Sequence, residues 1–272
     1  MGRRPGRARG GVERRQPLQL PKGVGGEQVE GRQAVRELLV ADRRRVRDIW
    51  LVEDVEPAPI LDDILELARE ARVTVKRVSR TQLDHAARSD SPQGILAHAQ
   101  PLADVDLDVL ARPRDGVAPF LVAVDGVTDP QNLGALLRTA ECAGATGVVL
   151  PRHRAAHVTP TVTKAAAGAI EHLPVALVGG MPSALRRLKE LGVWTVGLDG
   201  AGDASVFGLA VATEPVALVL GAEGKGLSRL VRERCDVLAA IPLRGRLASL
   251  NVSAAAAVAC FEVAKRRLTP SD

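Results

Sequence analysis

Three short islands of this 272-residue chain gather the side chains best suited to polar chemistry. The first is Asp125-Gly126-Val127-Thr128-Asp129-Pro130-Gln131-Asn132-Leu133-Gly134-Ala135-Leu136-Leu137-Arg138-Thr139-Ala140, and the second runs from Gly221 to Arg229. The third is Ile241-Pro242-Leu243-Arg244-Gly245-Arg246-Leu247-Ala248-Ser249-Leu250-Asn251-Val252-Ser253, leading into Ala254 to Ala257. Among their polar side chains the candidates are the amides of Asn132 and Asn251, the Ser249 hydroxyl, the Glu223 carboxylate and the Arg138 guanidinium, beside glycines that let a ligand approach the backbone. Such groups hold and orient a polar ligand where a strand hands over to a helix. Other chemistries are not assembled. Gly221-Ala222-Glu223-Gly224-Lys225-Gly226-Leu227-Ser228 has neither the GxGxxG spacing of a dinucleotide site nor the GxxxxGK[ST] of a P-loop. His153 and His157 stand at i, i+4 without the glutamate of HExxH or a third ligand, so no metal site is expected and they read as loop or RNA-facing histidines.

The islands need strands to carry them. From Pro119 onward, apolar runs at Phe120–Val124, Gly147–Leu150, Val175–Val178, Trp194–Leu198, Val216–Leu220 and Leu238–Leu243 alternate with helical stretches. Runs apolar on both sides and separated by helices predict a parallel sheet covered on two faces, with each island at the C-terminal end of a strand. Residues 26 to 98 form a smaller α/β unit. Ala34, Val35, Leu38 and Leu39 recur at helical spacing, Arg47–Val52 reads as a strand, Ile60–Ala71 is amphipathic, Val73–Val78 alternates, and Gly94–Ala99 closes the unit. Residues 99 to 117 mix Pro, Asp and Arg without a sustained period and read as a linker, which leaves 118 to 268 as the second domain.

The net charge of +5 is concentrated at one end. Residues 1 to 25 hold seven cations (Arg3, Arg4, Arg7, Arg9, Arg14, Arg15, Lys22) against Glu13, so the other 247 residues carry −1. This Arg/Gly/Pro-rich tail is expected to be disordered, either gripping nucleic-acid phosphates loosely or simply solvated. No apolar stretch follows it as in a secretion signal, and the longest apolar runs are too short to span a bilayer, so a cytoplasmic protein without membrane contact is expected. Cys142, Cys235 and Cys260 show no CxxC or Cys/His spacing and read as buried free thiols. With no Tyr, three Phe and two Trp, the chain cannot build an aromatic base-stacking platform, so RNA would have to be held by charge, amides and shape.

The three islands resemble the three motifs of the SpoU (TrmH-like) family of RNA ribose 2′-O-methyltransferases, within the SPOUT superfamily. The first unit resembles that family's RNA-binding domain through Gly31-Arg32-Gln33-Ala34-Val35 and Gln93-Gly94-Ile95-Leu96-Ala97, so the likeness covers nearly all of residues 26 to 268. The resemblance implies an α/β domain with a deep trefoil knot, S-adenosylmethionine as cofactor, and a homodimer. Within the family it is nearest the branch that methylates a guanosine of large-subunit rRNA, with a tRNA or resistance-type rRNA target, or a non-catalytic ribosome-assembly role, as alternatives. Gln33, where relatives commonly carry His, and Pro92 depart from the RNA-binding pattern and touch only target choice.

In that chemistry a ribose 2′-hydroxyl attacks a sulfonium methyl and a neutral thioether leaves, so the protein must supply positioning and help with one proton. The resemblance assigns Arg138 to the ribose. A guanidinium stays protonated, so clamping a neighbouring phosphate that takes the proton suits it better than acting as a base; the plain alternative is an exposed arginine flanking Leu133, Leu136, Leu137 and Ala140. Asn132 positions the ribose or holds Arg138, or is a helix N-cap. Glu223 holds Arg138 or the hydroxyl, or is a helix-start acid. Ser249 and Asn251 complete the set, or are a cap and a turn amide. Gly221, Ile241 and Leu250 match cofactor-wall positions, and Leu198 and Gly200, at another strand end, are lesser candidates. Arg43-Arg44-Arg45-Val46-Arg47, beside Trp50, contacts rRNA phosphates or forms a solvated face.

Overall fold

A computed structural model describes residues 24–152 and 158–268. Nearly all of the basic tail, together with His153 and His157, lies outside the described residues.

The first unit comprises β1 (Gln28–Glu30), α1 (Arg32–Ala41), β2 (Val46–Val52), α2 (Pro59–Glu70), β3 (Thr74–Val78), α3 (Arg80–Ala86) and β4 (Ile95–Ala99). Its sheet has the order β1-β4-β2-β3, with β2 and β3 parallel and the other pairs antiparallel. The helical stripe expected in α1 is the buried one: Ala34, Val35, Leu38 and Leu39 pack with Leu61, Ile64 and Ala68 of α2 over Ile49 and Leu51. Two elements escape periodicity. β1 is three residues long, and α3 buries only Leu83, its start being set by a capping box of Ser79 and Gln82.

The second unit holds α4 (Leu107–Leu110), β5 (Phe120–Asp125), α5 (Pro130–Cys142), β6 (Gly147–Pro151), α6 (Pro160–Ala165), β7 (Val175–Val178), α7 (Met181–Glu190), β8 (Trp194–Leu198), β9 (Ala204–Ser205), β10 (Val216–Gly221), α8 (Arg229–Arg234), β11 (Val237–Ala240) and α9 (Val252–Leu268). Seven strands run in the order β7-β6-β5-β10-β8-β11-β9, every pair parallel. One face of the sheet packs on α5, α6 and α9 and the other on α4, α7 and α8, so both faces are buried as the apolar runs require. The chain walks outward from β5 to β7, crosses to β8, and then inserts β10 between β5 and β8. That late insertion sets Gly221 directly beside Asp125 and makes neighbours of two islands nearly a hundred residues apart.

Three expectations are corrected. The last strand ends at Ala240 rather than Leu243, because Pro242 has no N–H for a ladder and, among the described residues, no atom of 241–250 makes a hydrogen bond. The segment read as a linker is packed: Leu102, Leu110 and Ala111 are buried, and α4 lies against β7 and α7. Of the cysteines only Cys260 is buried; Cys235 is half-buried, and Cys142 is exposed at the end of α5, off the stripe Leu133, Leu136, Leu137 and Ala140. Among the described residues no helix is long and apolar enough to cross a membrane.

Candidate active site

Each island folds for a local reason. After β5, Asp129 caps α5 by accepting the Asn132 N–H at 2.8 Å, and Pro130 occupies the first turn, where its missing N–H costs nothing. The cap is therefore Asp129 and not Asn132, whose side chain is left for other work. After β10 the chain doubles back in a tight hairpin closed by Ala222 N–H to Gly226 carbonyl (3.0 Å) and Gly226 N–H to Ala222 carbonyl (2.8 Å). A Cβ on Gly221 would lie 2.1 Å from the Gly226 carbonyl carbon, so only glycine allows this return. Glu223 stands exposed at the hairpin tip; the next helix, α8, starts only after Ser228, so Glu223 is no helix-start acid. Asp125 ties the first two islands together by accepting the Ser228 N–H at 3.0 Å.

Asn251 joins all three. Its Oδ1 accepts the Ser253 N–H at 2.8 Å and the Ser253 hydroxyl at 2.6 Å, capping α9. Its Nδ2 donates to Asn132 Oδ1 at 3.0 Å and to Glu223 Oε1 at 2.6 Å. The partners dictate the amide's orientation: a carboxylate only accepts and a backbone N–H only donates, so Asn251 must turn its NH2 toward Glu223 and its oxygen toward Ser253.

Arg138 is not drawn into this triad. It lies exposed on α5, six residues beyond Asn132, which places it ~9 Å further along the helix and about 120° around it. Its side chain makes no hydrogen bond or ion pair with any described residue, so neither Asn132 nor Glu223 holds it. Ser249 is likewise exposed and without a hydrogen bond among the described residues.

The cofactor candidates line the same end of the sheet. Leu198, the last residue of β8, and Ile241, just after β11, are half-buried and pack against the core, and Gly221 is buried between them and β5. Gly200 is exposed with open space where a Cβ would point. Leu250 is 43% exposed and Leu243 39%. Uncovered apolar side chains beside the unpaired backbone of 241–250 suit a ligand that is part aromatic and part charged, such as an adenosyl amino acid. Among the described residues no group of His, Cys, Asp or Glu is placed to hold a metal ion. Asp125 and Asp129 hold the islands in place without contributing to the candidate set, and Asp-Pro at 129–130 is a readable helix-start signal.

Comparison with known proteins matches residues 119–261 to the SpoU rRNA Methylase family and residues 28–105 to the RNA 2′-O ribose methyltransferase substrate binding family. The chain belongs to the SpoU family. Among SpoU relatives, the 23S rRNA (guanosine-2′-O-)-methyltransferase RlmB of Pseudomonas putida is 40% identical over 244 residues, covering 89% of this chain and 97% of the relative. RlmB of Pseudomonas aeruginosa is 41% identical over 249 residues, covering 90% and 98%. The crystal structure of the SpoU methyltransferase AviRb from Streptomyces viridochromogenes in complex with AdoMet superposes with a TM-score of 0.75 at 26% identity, covering 90% of this chain and 91% of that one. The SpoU likeness read from the three islands is thus borne out, as are the mixed α/β fold with its parallel sheet and S-adenosylmethionine as the cofactor. The chain is an S-adenosylmethionine-dependent RNA ribose 2′-O-methyltransferase.

Proposed function

We propose that this protein methylates the ribose 2′-hydroxyl of a guanosine in 23S rRNA, with Asn132, Arg138, Glu223, Ser249 and Asn251 as the working residues and Gly221, Ile241, Leu250, Leu198 and Gly200 around the cofactor. The observation that carries the site is the bridge from Asn251 to both Asn132 and Glu223 at the strand ends; the RlmB relatives support the target. Bound S-adenosylmethionine supplies an electrophilic methyl group on a cationic sulfur. Asn132, its oxygen already engaged by Asn251, has its NH2 left to donate to the ribose. Glu223, its Oε1 engaged, retains Oε2 as an acceptor toward the bound nucleotide. Arg138, exposed and unpaired with any described residue, clamps a neighbouring phosphate, which takes the hydroxyl proton. Residues 26–98 bind the RNA and 118–268 transfer the methyl group. A homodimer, a knotted C-terminal segment and a cytoplasmic location belong to the same proposal; Phe261, 51% exposed on α9, offers an apolar anchor for a second copy.

Ribose methylation mapped across rRNA and tRNA in cells with and without the protein tests the target. One 23S guanosine should lose its mark, and a loss confined to tRNA would overturn the assignment. Arg138→Ala should abolish transfer while leaving S-adenosylmethionine binding intact; undiminished turnover removes Arg138 from the mechanism.

A further inference from the structure

The arginine run after α1 is neither wholly solvated nor wholly available to RNA. Arg44 is buried and paired with Glu171, their side chains 4% and 0% exposed. The contact is a two-pronged fork: Arg44 Nε to Glu171 Oε2 at 3.0 Å and Nη2 to Oε1 at 2.5 Å. Arg44 Nη1 donates to the carbonyls of Gly26 and Gln100, each at 3.0 Å. Those carbonyls flank the first unit, at the points where the chain enters it before β1 and leaves it after β4. One guanidinium thus fastens both crossings to a carboxylate of the second unit.

Further contacts surround it. Arg43 Nη1 donates to the Glu171 carbonyl at 3.0 Å, and His172 Nε2 lies 2.8 Å from Glu37 Oε2 on α1. At Gly168, a Cβ would lie 2.6 Å from that of Glu37 and 3.1 Å from Ala34 Cα, so α1 rests directly on this turn. The turn follows α6, and α6 packs on α5 closely enough that a Cβ on Gly134 would lie 2.4 Å from Ala165 Cβ. Gly134 is two residues from Asn132. A continuous packed path therefore runs from the RNA-binding unit to the helix that presents Asn132.

We infer that Arg44 and Glu171 are positioning residues: they lock the RNA-binding unit against the transfer unit and so set which nucleotide of a bound RNA reaches Asn132, Glu223 and Asn251. This rests on the RNA-methylation reading above. Stability alone is a weak reason for such a pair, because replacing a buried ion pair by apolar residues of similar volume is often neutral or stabilising. What an apolar pair cannot do is bind the two crossing carbonyls and impose the planar geometry of a guanidinium fork.

The test uses that difference. The double variant Arg44→Met/Glu171→Leu removes both charges together, so no unpaired ion is left buried. Spin labels at Glu70→Cys and Arg186→Cys, in a Cys142→Ser background, report the spread of distances between the units. Calorimetry reports S-adenosylmethionine binding, and methyl mapping on a 23S rRNA fragment reports site choice. The double variant should keep its cofactor affinity and its turnover at saturating RNA. It should broaden the distance distribution, raise KM for RNA roughly tenfold as the second binding event loses its preset geometry, and methylate nucleotides beside the parental one. Arg44→Lys should not restore the parental pattern, since an ammonium cannot fork. An unchanged distance distribution overturns the inference, as does a broadened one with parental KM and a single methylated site. A parental protein that transfers no methyl group to rRNA would sink the rRNA reading, while the distance distributions would still decide whether the clamp exists.

Discussion

Asn251 performs two tasks that substitution can separate. Its Oδ1 caps α9 through Ser253, and its Nδ2 bridges Asn132 and Glu223. Removing an Asn cap costs about 1 kcal/mol. The bridge contains one neutral and one charge-assisted hydrogen bond, but it lies at an exposed site where water substitutes for the lost partner, so about 1 kcal/mol is a fair total for it as well. Asn251→Ala loses both, about 2 kcal/mol, which for a chain of this size lowers Tm by roughly 4–8 °C. Asn251→Ser keeps a capping oxygen and loses only the bridge, for roughly 2–4 °C. The catalytic effect should not follow that ranking. Both variants release Asn132 and Glu223, and misplacing positioning groups by an ångström costs on the order of 100-fold in rate. Asn251→Asp is nearly isosteric and still caps, but it is acceptor-only toward a second carboxylate and should lose a similar factor. Methyl transfer to an rRNA fragment under single-turnover conditions, with S-adenosylmethionine affinity and Tm measured alongside, separates the effects. If Asn251→Ser transfers at the parental rate, the bridge does not position the reacting groups and the assignment of the site fails.

Other substitutions probe what holds the site. Arg267, near the end of α9, donates to the carbonyls of Ala118, Pro119, Ala212 and Glu214 at 2.7–3.0 Å and lies 5.4 Å from the Phe120 ring centroid, pinning the helix to the starts of β5 and β10; Arg267→Ala should cost about 3 kcal/mol, a fall of roughly 6–12 °C in thermal melts. Gly221→Ala forces a Cβ into the hairpin backbone, so S-adenosylmethionine binding by calorimetry should vanish; normal affinity would show that the hairpin does not shape the pocket. Burial pushes the Asp236 carboxyl up, but the hydrogen bonds from Lys189 and Thr195 outweigh it and hold its pKa below the usual range. A depressed carboxyl stabilises the fold above ~4 and loses that contribution as the pH falls through its folded value. Urea unfolding of Asp236→Asn should therefore show a shallower acid limb than the parent, and an identical slope would refute the pairing.

Much of the architecture is legible because it follows from short-range periodicity. The stripe Ala34, Val35, Leu38 and Leu39, the both-sides-apolar runs of β5, β6 and β10, and the Asp-Pro start of α5 each express a local rule. What escapes lacks such a signal. β1 and β9 are too short to alternate, α3 carries one buried residue, and Leu102 and Leu110 lie in a polar stretch whose burial depends on the neighbouring sheet.

Residue types and their spacing along the chain supply the chemical kinds and the islands, with amides, carboxylates, hydroxyls and guanidinium groups near strand ends in a pattern that marks the family. Which of these groups meet is a matter of strand order and packing. Whether Asn132 caps a helix or faces a ligand depends on Asp129 taking the cap, and whether it meets Asn251, 119 residues away, depends on β10 entering between β5 and β8. The same holds for Arg44, one of four arginines in a five-residue run and the one whose side chain is buried against Glu171. Periodicity records which side of an element is buried, but a hydrogen bond between distant residues is set by strand order and packing, which no local pattern encodes.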